Sequence, residues 1–345
     1  MKCNLRISEQ SKPALPIFSL FNLWILCSAA FAVETNPTNQ CLRDALATAN
    51  SLVTVAELRL QCPETSDKLE TEIVGATTAG AIKQRLDAEA EVLKQPFVLT
   101  AHRPNYFLPY TYNSRPNETA FRLINPDRSI DSAEAQFQVS FKFPVAQRFL
   151  EPKNDVFFAF TSRAWWQAYN KNISSPFRET DYEPELFLRH SGGPQLGPIK
   201  VAGWDLGLAH QSNGQSQPMS RSWNRVNANI ALETHNLAIA LRSWYRIPES
   251  GEDDDNPHLH RFLGYGDARL LYRYRSSVFS AMVRPGTEKS AFELTWSLPL
   301  WQQLRLYLVY FDGYGESLLD YNRRVRRIGI GVGLNDYLES RNHAR

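Results

Sequence analysis

Beyond its N-terminus the chain holds no apolar run near the ~20 residues that a membrane-spanning helix needs. Cysteine is scarce, at 4 of 345 residues, and two of these, Cys3 and Cys27, sit in the first thirty positions. Neither sign of charge dominates: 38 Lys and Arg face 36 Asp and Glu, for a formal balance of +2. That balance offers no electrostatic footprint for nucleic acid, and no nucleic-acid partner is expected.

What is present begins with an export signal. Lys2, Arg6 and Lys12 precede an apolar stretch, Phe18 to Phe31, that closes on Ala30-Phe31-Ala32. A basic region, a short apolar core and a small-x-small site predict a signal peptide over residues 1–32, cleaved before Val33. Its removal leaves a chain of no net charge. In an exported chain the remaining pair, Cys41 and Cys62, is expected to form a structural disulfide, contributing roughly 3 kcal/mol to local stability. These cysteines lie in a small accessory region, 33–95, which also holds the helical pattern AIKQRLDAEAEVLKQ, stopped by Pro96. Residues 96–132 mix Pro, Asn and aromatics and read as lead-in loops with short strands.

From Ala133 the period changes to two. In AQFQVSFKF, Ala135, Phe137, Val139, Phe141 and Phe143 alternate with Gln136, Gln138, Ser140 and Lys142. The same alternation recurs in AFELTWSLPL, WQQLRLYLVY and RIGIGVGL. A soluble β-sandwich alternates in the same way. Three features favour an all-β transmembrane antiparallel barrel over residues 133–338, followed by a C-terminal tail, 339–345. There is an export signal, many segments are long enough to cross a bilayer when tilted, and aromatics gather toward strand ends (Trp165, Trp166, Trp244, Tyr245, Trp301, Tyr310). The stretch has room for about a dozen such strands.

Within it, LGLAHQSNGQSQPMSRSWNR, residues 206–225, carries the chemistry. On a strand, side chains at i and i+2 share a face. Leu206, Leu208, His210 and Ser212 therefore project together, and so do Asn224, Val226, Ala228, Ile230 and Leu232 on the following strand. If the apolar face meets lipid, His210, Ser212 and Asn224 stand on the lipid side, near the strand ends. Polar groups there are costly, by an amount that falls toward the interface. His210 can act as the base that activates a Ser212 nucleophile, with Asn224 orienting the imidazole. A neutral orienter suits a site beside lipid, where a bare carboxylate carries a larger desolvation penalty.

The block HQSNGQSQPMSRSWNR, with NISSPFRETDYEPELFL before it and GYGESLLDYN after it, closely resembles the outer-membrane phospholipase A family of Gram-negative bacteria. AWWQAYNKN and DDDNPHLHRFLGY fit the same pattern, and the resemblance runs from about Pro96 to Leu338. It implies a twelve-stranded antiparallel barrel in the bacterial outer membrane that hydrolyses acyl esters of phospholipids at the outer leaflet. It further implies dependence on Ca2+ and a homodimeric active state. By the same resemblance Ser212 is the nucleophile, His210 the base and Asn224 the orienter. Calcium is bound by the Ser220 side chain, the Gln215 backbone carbonyl and Ser174 of the partner subunit, and the oxyanion hole is formed by the Ser212 amide with calcium-held water. Two departures stand out: Gln215 replaces an Arg that members carry, and Gln217 replaces an acid of a weaker, monomer calcium site, for which Asp255 remains.

Other motifs say less. The acidic run EDDDNP, residues 252–257, reads as a solvated loop. His258 and His260 would lie on one side of a strand but lack a third ligand nearby. Competing readings are a non-catalytic porin or adhesin, which leaves the outward polar triad without a purpose, and a soluble serine hydrolase, which would need a Gly-x-Ser-x-Gly elbow absent around Ser212.

Overall fold

The computed structural model describes residues 80–338 apart from 96, 97, 125, 128, 173–176, 252 and 253. The expected signal segment, Cys41, Cys62, Ser174 and the tail 339–345 lie outside the described residues.

Three helices occur among these residues: α1 (Ala81–Val92), α2 (Glu118–Ile124) and α3 (Leu259–Leu263). The strands are β1 (Thr100–Ala101), β2 (Tyr106–Asn113), β3 (Ala133–Ala146), β4 (Asn154–Trp166), β5 (Phe177–Ser191), β6 (Gln195–Leu196) and β7 (Ile199–Ser212). They continue with β8 (Ser222–Glu233), β9 (Leu237–Arg246), β10 (Gly266–Tyr274), β11 (Ser277–Pro285), β12 (Ser290–Trp301), β13 (Leu304–Tyr314) and β14 (Arg324–Gly333). Every pairing is antiparallel. Twelve strands close a ring, with β14 pairing β2 and β3 pairing both β2 and β4, while β1 and β6 lie outside it.

The ring starts earlier than the period-two signal. Tyr106–Asn113 falls in the stretch expected to be lead-in loops with short strands, and it is a full member of the barrel between β3 and β14. Pro109 and a register shift between Leu108 and Thr111 break its alternation, which hid its place in the ring from pattern reading. Likewise α1, placed by sequence in an accessory region, packs against the barrel through Ala81, which clusters with Ala238, Leu271, Val278 and Leu338.

Burial is inverted relative to a soluble protein. Leu206, Leu208, Ile328 and Val139 are 49%, 55%, 58% and 50% exposed, whereas Lys142, Glu134 and Arg327 are buried to 2%, 1% and 1%. Apolar side chains thus point outward and charged ones fill the interior. This is the arrangement a barrel in lipid requires, because its solvent outside is hydrocarbon.

Inside, the charges are paired. Arg103 grips Glu183 with two bonds of 2.7 and 2.9 Å, Arg178 bridges Glu134 at 2.6 Å and Asp320 at 2.7 Å, and Arg327 donates to Glu316 at 2.8 Å. The loop after β13 folds over one mouth, where the Leu318 and Leu319 amides donate to Asp181 and Glu179 of β5. At the other end the Glu233 carboxylate accepts from the amides of Ile82 and Lys83, holding the start of α1. A cavity of about 340 Å³ remains between, lined by Arg163, Arg225, Arg242, Asp181 and Glu185 among others.

The two ends differ. Turns such as 234–236, 275–276 and 302–303 are short, while 114–132, 213–221, 247–265 and 315–323 are long. Bacterial barrels carry short periplasmic turns and long external loops, so the long-loop end is the outer one.

Candidate active site

β7 runs outward to the long-loop end and turns back as β8. Their register places His210 opposite Asn224 and Ser212 opposite Ser222. The parity expected from sequence holds from Trp204 onward: Trp204, Leu206, Leu208 and His210 are exposed on the outer wall, while Ala209 between them is buried; Ala202 is buried at the register shift that precedes this run. Cross-strand pairing converts a separation of 14 residues into contact, and His210 Nδ1 lies 2.8 Å from Asn224 Oδ1. Ser212 sits two residues on, on the same face, half-buried next to Tyr182 of β5. Its hydroxyl has no hydrogen bond among the described residues.

The wall behind the pair is stiff. Trp223 is buried and donates its indole N–H to Gln211 at 3.0 Å, and the Arg225 guanidinium lies 4.2 Å above the Trp223 ring. Trp223 also packs with Leu259, Leu263, Leu318 and Tyr321, so two long loops, 247–265 and 315–323, meet at the start of β8 beneath the site.

The loop 213–221 is organised by a residue that pattern reading passed over. Asn213 is buried; its Oδ1 accepts from the Arg221 amide at 3.0 Å and the Gln215 amide at 3.3 Å. Its Nδ2 donates to the Met219 carbonyl at 2.9 Å and to Glu179 at 3.3 Å. Gly214 follows at φ +63, a conformation that only glycine adopts without strain. One motif signal existed, Asn-Gly beside a turn, but nothing local says that the asparagine points inward.

Of the expected calcium ligands, Ser220 donates to Asp255 at 2.6 Å and the Gln217 amide donates to the other carboxylate oxygen of Asp255. The structure therefore gathers a hydroxyl, a carboxylate and an amide whose NH2 faces that carboxylate, with Gln215 exposed on the same loop. The Ser220 hydroxyl and the Asp255 carboxylate are oxygen ligands of the kind a hard divalent cation takes. His258 and His260 belong to α3 and the turn before it, not to a strand, because the loop 247–265 coils under its apolar residues Leu259 and Leu263.

A second unanticipated residue is Glu249, just beyond β9. Its Oε1 accepts from Asn224 Nδ2 at 3.0 Å, and its Oε2 lies 3.3 Å from Arg246 Nη2.

A family model described as Phospholipase A1 matches residues 82–334, a span that reaches back into α1. A relative from Neisseria meningitidis serogroup B is 39% identical over 252 residues, which cover 68% of this chain but only 65% of the relative's own length. The phospholipase A1 of Salmonella typhimurium is 37% identical over 248 residues, covering 70% of this chain and 83% of the relative. Among solved structures, the Salmonella typhi outer membrane phospholipase, a dimer with bound calcium, superposes with a TM-score of 0.68 at 36% identity. That match covers 72% of this chain and 96% of the other.

Proposed function

The chain belongs to the phospholipase A1 family, and on that premise we propose that it hydrolyses acyl esters of phospholipids with Ser212, His210 and Asn224. The chain is an integral outer-membrane barrel, and the relatives it matches are carboxylic ester hydrolases. The observation that carries the reading is the 2.8 Å contact of His210 with Asn224 on a wall whose other side chains are apolar.

In this reading a lipid lies against the outer wall with an acyl chain along Leu206, Leu208 and Leu186, all exposed on neighbouring strands. The ester then sits at the long-loop end, level with Ser212. His210 Nε2 takes the hydroxyl proton as Ser212 Oγ bonds to the ester carbonyl carbon. The lysophospholipid alkoxide leaves with that proton, and a fatty acyl ester of Ser212 remains. Water, deprotonated by His210, adds to this ester and releases the fatty acid and the serine. Asn224 keeps the imidazole turned so that Nδ1 faces its carbonyl throughout. The Ser212 amide is the chain's own donor to the oxyanion.

Calcium is part of the proposal. Ser220, the Gln215 carbonyl and Ser174 of the partner subunit would hold it in the active dimer, with Asp255 serving a monomer site. When bound, it supplies positive charge beside the oxyanion, which a neutral orienter leaves uncompensated; one lost donor of this type costs ~10²–10³ in rate. The calcium-bound dimer of the Salmonella typhi relative supports this reading.

Ser212→Ala, purified as a folded heat-modifiable barrel in detergent micelles containing phospholipid, is expected to release no fatty acid. Chelation of calcium is expected to stop the wild-type enzyme without unfolding it. Full activity of Ser212→Ala would remove the assignment.

A further inference from the structure

The orienter of the triad is a neutral amide whose far side meets a carboxylate. Asn224 Nδ2 lies 3.0 Å from Glu249 Oε1. Arg246 anchors that carboxylate from behind: its Nη2 is 3.3 Å from Glu249 Oε2 and 2.5 Å from Asp254 Oδ1. Glu249 is mostly buried, with 16% of its side chain exposed. The backbone brings it there, because the Ile247 amide donates to the Asn224 carbonyl at 2.8 Å and extends the β8–β9 pairing past the end of the strand.

We propose that Glu249 is a positioning residue for the catalytic histidine, acting through Asn224 without touching substrate; this rests on the triad reading above. A carboxylate accepts hydrogen bonds and an amide presents one donor side and one acceptor side. Glu249 therefore fixes which way Asn224 turns: NH2 toward Glu249, carbonyl toward His210. A carbonyl facing His210 Nδ1 in turn requires a proton on Nδ1, which leaves the lone pair on Nε2. Nε2 is the nitrogen that must receive the Ser212 proton. Without Glu249 the amide is free to flip, and its NH2 then selects the opposite tautomer, with the lone pair on the wrong nitrogen. The carboxylate also polarises the amide, so that Asn224 Oδ1 becomes a stronger acceptor as the imidazolium forms.

This arrangement also accounts for the neutral orienter. An aspartate at 224 would set one of its oxygens against Glu249 Oε1 at the distance now spanned by a hydrogen bond. Two carboxylates so placed repel, and one of them must hold a proton or turn away.

The test uses the full chain in mixed micelles at saturating calcium, with kcat and KM measured separately. Glu249→Leu is expected to lower kcat by on the order of 10- to 100-fold, the worth of a charge-assisted hydrogen bond, with KM unchanged. Glu249→Gln keeps an acceptor oxygen toward Asn224 and is expected to recover most of the rate. In an Asn224→Ala background Glu249→Leu is expected to add nothing. The most pointed arm is rescue: Asn224→Asp is expected to be impaired, and Asn224→Asp with Glu249→Gln to be more active than Asn224→Asp alone.

Wild-type kcat in Glu249→Leu, an equal loss in the Asn224→Ala background, or no rescue in the double variant would each overturn the proposal. The first and third outcomes would show no coupling, and the second a merely structural role. Ser212→Ala separates the two levels. Activity in that variant refutes the triad itself, whereas an inactive Ser212→Ala beside fully active Glu249 variants refutes only the role of Glu249.

Discussion

Asn213→Ala is the substitution that most directly tests whether the loop after β7 is a built cation site. Asn213 is 3% exposed and closes the loop on itself, taking the Arg221 amide at 3.0 Å and giving to the Met219 carbonyl at 2.9 Å. Its contacts to Gln215 and Glu179 are longer, at 3.3 Å each. Net worth is about 1 kcal/mol for each well-formed neutral bond and less for the longer pair, so alanine costs the loop about 2–3 kcal/mol. The strand ladder is untouched, and the barrel is expected to remain folded and heat-modifiable. A local cost of about 2 kcal/mol lowers the ordered population by roughly 30-fold relative to its competitors. A bound cation restores order by mass action, because it binds only the ordered form. Fatty-acid release measured against calcium concentration is therefore expected to shift its half-maximal point upward by about 10- to 30-fold, with most of the maximal rate recovered at high calcium. Asn213→Asp, which keeps the acceptor but loses the donor and sets a charge beside Glu179, is expected to fall between. An unchanged calcium requirement in Asn213→Ala would refute the reasoning, since the loop would then be ordered without its central side chain.

Two further outcomes concern the scaffold. Arg178→Met leaves Glu134 and Asp320 facing a buried apolar stem; Glu134 keeps Arg327, and Asp320 keeps Asn117 and Ser317, so the loss is expected near the lower end of the usual range, about 3 kcal/mol in urea unfolding. An unchanged midpoint would mean that the remaining partners suffice. At the other end, burial alone raises the Glu89 carboxyl, but Lys142, Arg189 and Arg85 together overcome it and hold the group below its ordinary value of 4.5. Stability from a depressed carboxyl is present above 4.5 and lost as pH falls through the lower folded value. The unfolding midpoint is thus expected to drop on acidification below that point, and Glu89→Gln to lower it at neutral pH while flattening the acid limb. An acid limb identical in both forms would exclude Glu89 as its source.

Legibility followed the range of the physics. Period two along β7 and β8 is a local property of an extended chain, so Leu206, Leu208 and His210 revealed their common face without any knowledge of neighbours. That a short strand at Tyr106–Asn113 belongs to the ring was not legible, because Pro109 and the shift beside it interrupt that period and its place depends on pairing with strands far along the chain. Asn213 and Glu249 escaped for another reason. They belong to loops, where no periodicity exists and a side chain's direction is set by whatever packs around it. Arg178 and Asp320, which are 142 residues apart, are a pair only because two loop-proximal segments converge over the barrel mouth.

By itself the sequence determined that the chain is an antiparallel barrel with an apolar exterior, and that a histidine, a serine and an asparagine share that exterior. Those conclusions need only local properties of the chain: the two-residue repeat of a strand, the export signal, the length of the segments and the aromatics toward their ends. Only the tertiary structure decided what stands behind the asparagine, what holds the loop after the serine, and how the interior charges are matched. Hydrogen bonds and ion pairs have a reach of a few ångströms, and closing the ring is what brings distant residues within it.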